Sequence, residues 1–85
     1  MKYKIAKEII ENIKTYEPID GDLLLFMKPY SKIMQFKLKD DTMMEINLRD
    51  CSYASMSNHG FLFVKTDTRE RVAVQLNNVA DITVI

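Results

Sequence analysis

The hydrophobic pattern of the chain changes period once. Ile5, Ala6, Ile9, Ile10, Ile13 and Tyr16 recur at the spacing of one side of a 3.6-residue wheel, which predicts an amphipathic helix over 2–16. Lys4, Lys7, Glu8, Glu11 and Lys14 take the other side and read as its solvated face. Pro18 forbids continuation and Asp20-Gly21-Asp22 supplies turn chemistry, so the helix is expected to end near Tyr16.

Beyond that turn the period is two. The apolar run 23–27, bounded by the turn and by Lys28-Pro29, predicts a short strand. Over 32–39, Met34, Phe36 and Leu38 alternate with Gln35, Lys37 and Lys39; over 43–55 the alternation returns in Met44, Ile46 and Leu48 against Glu45, Asn47 and Arg49. The two runs predict a hairpin. Residues paired across an antiparallel ladder share a face, so the turn must have odd length. A loop of Asp40-Asp41-Thr42 pairs Leu38 with Met44, Phe36 with Ile46 and Met34 with Leu48, and sets Lys37 beside Glu45 on a polar exterior. The second run is expected to continue through a bend to Asn58-His59-Gly60 as one long strand. A second hairpin joins strands 61–66 and 71–76, and two registers stay open: pairing Val64 with Val72 would oppose Lys65 to Arg71, which mildly favours pairing Phe63 with Val74. Both faces of 61–64 are apolar, so this hairpin is expected to be covered on both sides. Asn77-Asn78 breaks the pattern, Val79-Ala80 reads as a tight turn, and 81–85 as a terminal strand. These elements make one α+β domain over 1–85: an N-terminal amphipathic helix packed on a strongly bent antiparallel sheet or small barrel of five to six strands.

From Ile33 to Ile85 this order resembles that of SH3-like and Sm-like small barrels. Lys39-Asp40-Asp41 stands where Sm-like chains place an Asp/Asn-Gly turn, Asn77-Asn78-Val79-Ala80 stands at the break before the last strand, and Gly21-Asp22 before an apolar strand resembles the opening of an SH3-like barrel. The missing glycine and the extra strand 23–27 depart from the Sm-like pattern. The Sm-like resemblance implies a ring assembled through sheet edges, with ligand contacts from Ser57-Asn58-His59 and from Asn77-Asn78.

Composition narrows the function classes. Twelve basic and twelve acidic residues cancel, which removes the charge that would draw the whole domain to duplex DNA or an anionic membrane. One cysteine and no charged-then-apolar leader point to a reducing cytoplasm, and the run 23–27 is too short to cross a bilayer. Abundant lysine and isoleucine without tryptophan is a bias of AT-rich bacterial and phage genomes.

Chemistry-bearing groups are sparse. Catalysis needs an acid or base, often with a nucleophile, held together; the chain has one histidine, His59, and one cysteine, Cys51. A Cys-His dyad would need them to meet across a bend, whereas a small buried filler and an exposed turn residue are the ordinary alternative. Paired cysteines, helical His pairs and acidic calcium loops are absent, as are glycine-rich phosphate loops, so an enzyme, a metal and a cofactor are not expected. Lys28, Lys32, Lys37 and Lys39 form a basic stretch joined by Tyr30, readable as an anion contact or as edge strand protection. Tyr30, Lys32, Ile33, Met43 and Met56 make a candidate interaction surface. Tyr53, Asn58, His59, Arg69, Arg71 and Asn77 gather near turns, where they could hold a small anionic ligand such as a nucleotide between subunits of a homo-oligomer. A stoichiometric protein-binding inhibitor or adaptor, of the kind phages encode, needs no motif and is the alternative; an Sm-like binder of single-stranded RNA is the third.

Overall fold

A computed structural model of the chain describes residues 1–12, 16–18, 21, 23–26 and 32–85. Ile13, Lys28 and Tyr30 lie outside the described residues. The architecture is α+β, with one N-terminal helix and two antiparallel sheets. Helix α1 spans Tyr3–Glu11 and buries Ala6 and Ile10 completely. It is shorter than its pattern predicts, and Ile5 on the expected core side is 50% exposed. Asn12 caps it, donating its backbone N–H to Glu8 O at 3.3 Å. Tyr16 belongs instead to strand β1 (Tyr16–Pro18), because Pro18 drives the residue before it to an extended backbone and β2 (Leu24–Phe26) offers Leu25 as a partner for Glu17. Gly21, between them, takes a left-handed φ of 56°. No helix of the described residues is long and apolar enough to cross a membrane.

The remaining strands are β3 (Ile33–Leu38), β4 (Met43–Asn47), β5 (Cys51–Met56), β6 (Gly60–Lys65), β7 (Arg71–Gln75) and β8 (Val79–Val84). One sheet has five strands in the order β1-β2-β5-β6-β7, the other three in the order β4-β3-β8. This exceeds the five to six strands of the sequence pattern, because the long bent strand 43–55 is broken in two and Tyr16–Pro18 adds β1. A 3-10 turn, Leu48–Asp50, separates β4 from β5 and moves the chain from one sheet to the other. Asn47 nucleates it by accepting Arg49 N–H on Oδ1 at 3.1 Å. The return corner is also a 3-10 turn, but no side chain caps it. Leu76–Asn78 form a 3-10 turn between β7 and β8, and each turn begins with a buried leucine, Leu48 or Leu76. The tight turn therefore precedes Val79-Ala80, and Val79 is a fully buried strand residue opposite Leu38.

Both hairpin registers keep the predicted faces and differ by two residues from the predicted pairs. In the first, Phe36 faces Met44, Met34 faces Ile46 and Lys37 faces Met43. The loop has three residues, but they are Lys39, Asp40 and Asp41, with Leu38 N–H donating to Thr42 O at 2.9 Å. Asp41 takes the left-handed position such a loop requires, φ 69°, which aspartate tolerates. Asp40 locks the turn by accepting Thr42 N–H and the Thr42 hydroxyl. Glu45 accordingly meets Gln35, not Lys37, accepting its Nε2–H at 3.1 Å on an outer face that is polar as expected. In the second hairpin Phe63 faces Val72 and Phe61 faces Val74.

The core lies between the sheets. Phe36 of β3 meets Phe61 and Phe63 of β6 edge-on, with ring centroids 5.1 and 6.0 Å apart. Met34, Met56 and Leu24 fill the space around them. Helix α1 lies against β8, and the Met1 ammonium donates to Leu76 O at 2.7 Å and Val79 O at 2.9 Å.

Candidate functional site

The site is built by the β5–β6 ladder, whose parity is reset by a bulge between Cys51 and Tyr53. Past the bulge, Ala54 and Met56 point into the core while Tyr53 and Ser55 point to the outer face of the five-stranded sheet. Partners across a ladder share a face, so two rows form there. Tyr53, Val64 and Arg71 make one; Leu25, Ser55, Leu62 and Ala73 make the other. Leu25, Leu62 and Val64 are half-buried and Tyr53 and Ala73 are exposed. The predicted cover over this hairpin is only partial among the described residues: the inner face carries the buried Phe61, Phe63 and Val74, while on the outer face Ser55 is buried, Leu62 and Val64 are half-buried and Tyr53 and Ala73 are exposed.

Next to these rows the turn after β5 turns up over the sheet. Ser57 and Gly60 exchange backbone hydrogen bonds at 2.9 and 3.2 Å, and His59 N–H donates to Ser57 Oγ at 3.3 Å. Gly60 is required there: its φ is 152°, and β7 passes so close that a β-carbon would stand 2.1 Å from Val74 O. The result is a depression of about 340 Å³ lined by Tyr53, Ser55, Ser57, His59, Gln75 and the apolar Leu23, Phe61, Leu62, Ala73 and Val74. Hydroxyl, imidazole and amide groups rim an apolar floor.

Of the six predicted ligand residues, Tyr53 and His59 line this depression and Arg71 shares Tyr53's row. Asn58 is exposed in the same turn as His59, and Asn77 is exposed in the second 3-10 turn, which His59 O anchors by accepting Leu76 N–H at 3.0 Å. Arg69 is separate. It sits with a left-handed φ of 57° in the loop at the far end of β6 and β7, its N–H bonded to Lys65 O at 2.9 Å. Ser57 entered the sequence reading only through the Sm-like resemblance. The residues that sequence reasoning missed are Ser55, Leu62 and Gln75; the two-sided apolarity of 61–64 was the signal for Leu62, and nothing marked the other two.

The predicted interaction surface does not assemble. Met56 is fully buried in the core, Met43 is 63% exposed on the other sheet, and Ile33 is half-buried, its N–H and C=O both bonded to Ile85 at 2.9 Å. Lys32 is exposed beside Ile9, Asn12 and Val84, and Lys37 stands between Met43 and Asp81. Cys51 and His59 lie at opposite ends of β5; Cys51 is 3% exposed and its thiol donates to Asn47 O at 3.6 Å. Among the described residues no three metal-ligating side chains gather. The carboxyl of Asp40 is held below its ordinary range, first by the Thr42 hydroxyl and then by the Thr42 N–H. Comparison with family models, curated proteins and solved structures returns no match.

Proposed function

We propose that the protein is a non-enzymatic binding module that holds a small anionic ligand with a planar ring, such as a nucleotide, on the outer face of the five-stranded sheet. One observation carries this reading: Tyr53 and His59 line the same depression, and Arg71 lies one strand beyond Val64 in Tyr53's row. The ring would lie against Tyr53 and Leu62, the hydroxyls of Ser55 and Ser57 would read its polar edge, and Arg71 would receive the anion. Strand order also supports the small-barrel reading: β8, β3, the broken β4–β5 strand, β6 and β7 follow one another through hydrogen-bonded neighbours and the two corners.

Calorimetric titration with mono-, di- and cyclic nucleotides tests the proposal. A saturating signal with one class is expected, weakened about tenfold or more by Tyr53→Ala, since base stacking on one aromatic ring contributes about 1–3 kcal/mol. Silence across the panel overturns it.

The half-buried Leu25, Leu62 and Val64 of the two rows favour a second reading, a protein partner docked flat on the same face. A photo-crosslinking residue at position 73 would then capture one dominant protein other than a second copy of the chain, in cells where the same residue at position 43 captures none.

A further inference from the structure

The four described sheet edges are not equally guarded, and one of them is self-complementary. Antiparallel ladders turn alternate residues toward the neighbour and away from it. On β7, Leu76 N–H donates to His59 O and Lys65 N–H donates to Glu70 O, so Val72 and Val74 also turn toward β6. The N–H and C=O groups of Arg71, Ala73 and Gln75 therefore face outward, and all three residues are exposed. No proline, acidic residue, lysine or bulge interrupts this edge.

The other edges each carry an obstacle to pairing. β1 ends in Pro18, which has no N–H. On β8 the reciprocal bonds between Ile33 and Ile85 turn Ile82 outward, and Asp81 Oδ1 already accepts the Ile82 N–H at 2.9 Å. On β4 the bond from Leu38 N–H to Thr42 O turns Met43, Glu45 and Asn47 outward, and a second β4 in full overlap would set Glu45 against the partner's Glu45.

We infer that two copies of this chain pair antiparallel along β7 about a two-fold axis at Ala73, joining their five-stranded sheets into one. The strand reads Arg-Val-Ala-Val-Gln, apolar at its centre and polar at both ends, which is the symmetry an isologous contact needs. Full overlap places Arg71 opposite the partner's Gln75, Val72 opposite the partner's Val74 and Ala73 opposite the partner's Ala73. Every outward N–H then meets an outward C=O, inner valines meet inner valines, and no like charges oppose. The pairing also brings the Arg69 and Arg71 end of one protomer to the His59 and Asn77 end of the other. It stands whether or not a nucleotide binds, because it rests on the edge and not on the face.

Solution mass and amide exchange test it. Light scattering of the unaltered chain should give twice the mass of one chain, with slow exchange at the Ala73 amide. Ala73→Glu and Ala73→Lys each put like charges across the axis and should halve that mass while the circular dichroism stays unchanged; mixing the two variants should restore the doubled mass. A single-chain mass at all concentrations, fast Ala73 exchange in the unaltered chain, or doubled mass in both separate variants overturns the inference. Should the variants not fold, the mass and the exchange of the unaltered chain still decide it.

Discussion

A β-carbon placed on Gly60 would stand 2.1 Å from the carbonyl oxygen of Val74, closer than any real contact of that kind. Gly60 also holds a φ of 152°, in a region that side chains with a β-carbon avoid. Gly60→Ala is therefore expected to push β7 away from β6, with a loss of stability of about 2–4 kcal/mol. Urea unfolding checks it. Gly21→Ala is the control: its φ of 56° is strained, but nothing lies within 4 Å of the added carbon, so a loss of only about 1 kcal/mol is expected.

The Asp40 turn makes the first hairpin sensitive to acid. Hydrogen bonds from the Thr42 hydroxyl and N–H stabilise the carboxylate and lower its pKa below the ordinary 3.8. A depressed carboxylate pKa contributes stability that is fully present above the unfolded value and is lost as the pH falls through the folded one. Thr42→Ala removes the larger of the two causes. The Asp40 midpoint, followed by carboxyl-carbon NMR, should rise toward the ordinary value. The stability gap between the two proteins should be constant near neutrality and close as the pH drops below 3.8.

Alternation made the faces legible in the sequence and left the register open, for one physical reason. Sliding an antiparallel partner by two residues returns every side chain to the same face, so the apolar pattern alone cannot separate Phe36 opposite Met44 from Phe36 opposite Ile46. Asp41 decides it through its left-handed backbone, a property of the turn and not of the strands. Leu48 hid the first corner because it continues the alternation while starting a 3-10 turn. Met56 keeps the inward parity of Met44, Ile46 and Leu48, because the 3-10 turn and the bulge before Tyr53 each shift the alternation by one residue and cancel. Tyr53 and His59 stood out as candidates from residue type and nearness to a turn. Their common depression depends on β7, which is distant in sequence, and was not readable.

Met43 and Met56 test that bulge directly. Met56 is fully buried among the core residues, whereas Met43 is 63% exposed opposite Lys37. Mild peroxide should convert Met43 to its sulfoxide in the folded protein while Met56 reacts only after denaturant is added. Met43→Gln should change stability by less than about 0.5 kcal/mol, as a surface replacement does, and Met56→Gln should cost about 2–5 kcal/mol because it buries an amide in the core. Peptide mass mapping of the oxidised protein and thermal unfolding of the two variants supply the measurements. Rapid oxidation of Met56 in the folded chain would place it on the outer face and remove the bulge.

Phe36 joins the two sheets through its ring contacts. Its ring lies edge-on to Phe61 at 5.1 Å and to Phe63 at 6.0 Å, while Phe61 and Phe63 stack parallel within one strand. Phe36→Ala should cost about 3–5 kcal/mol, from lost transfer energy and the cavity left between sheets that can collapse only in part. Single domains of this size have a total stability of roughly 5–15 kcal/mol, so that variant should be substantially unfolded at physiological temperature. Phe36→Leu keeps most of the volume and should cost less than half as much. A double-mutant cycle of Phe36→Leu with Phe61→Leu isolates the edge-on pair, for which a coupling of about 0.5–1.5 kcal/mol is expected. A coupling near zero would mean that the rings add only buried area, and that the sheets are joined by their two 3-10 corners and not by ring geometry.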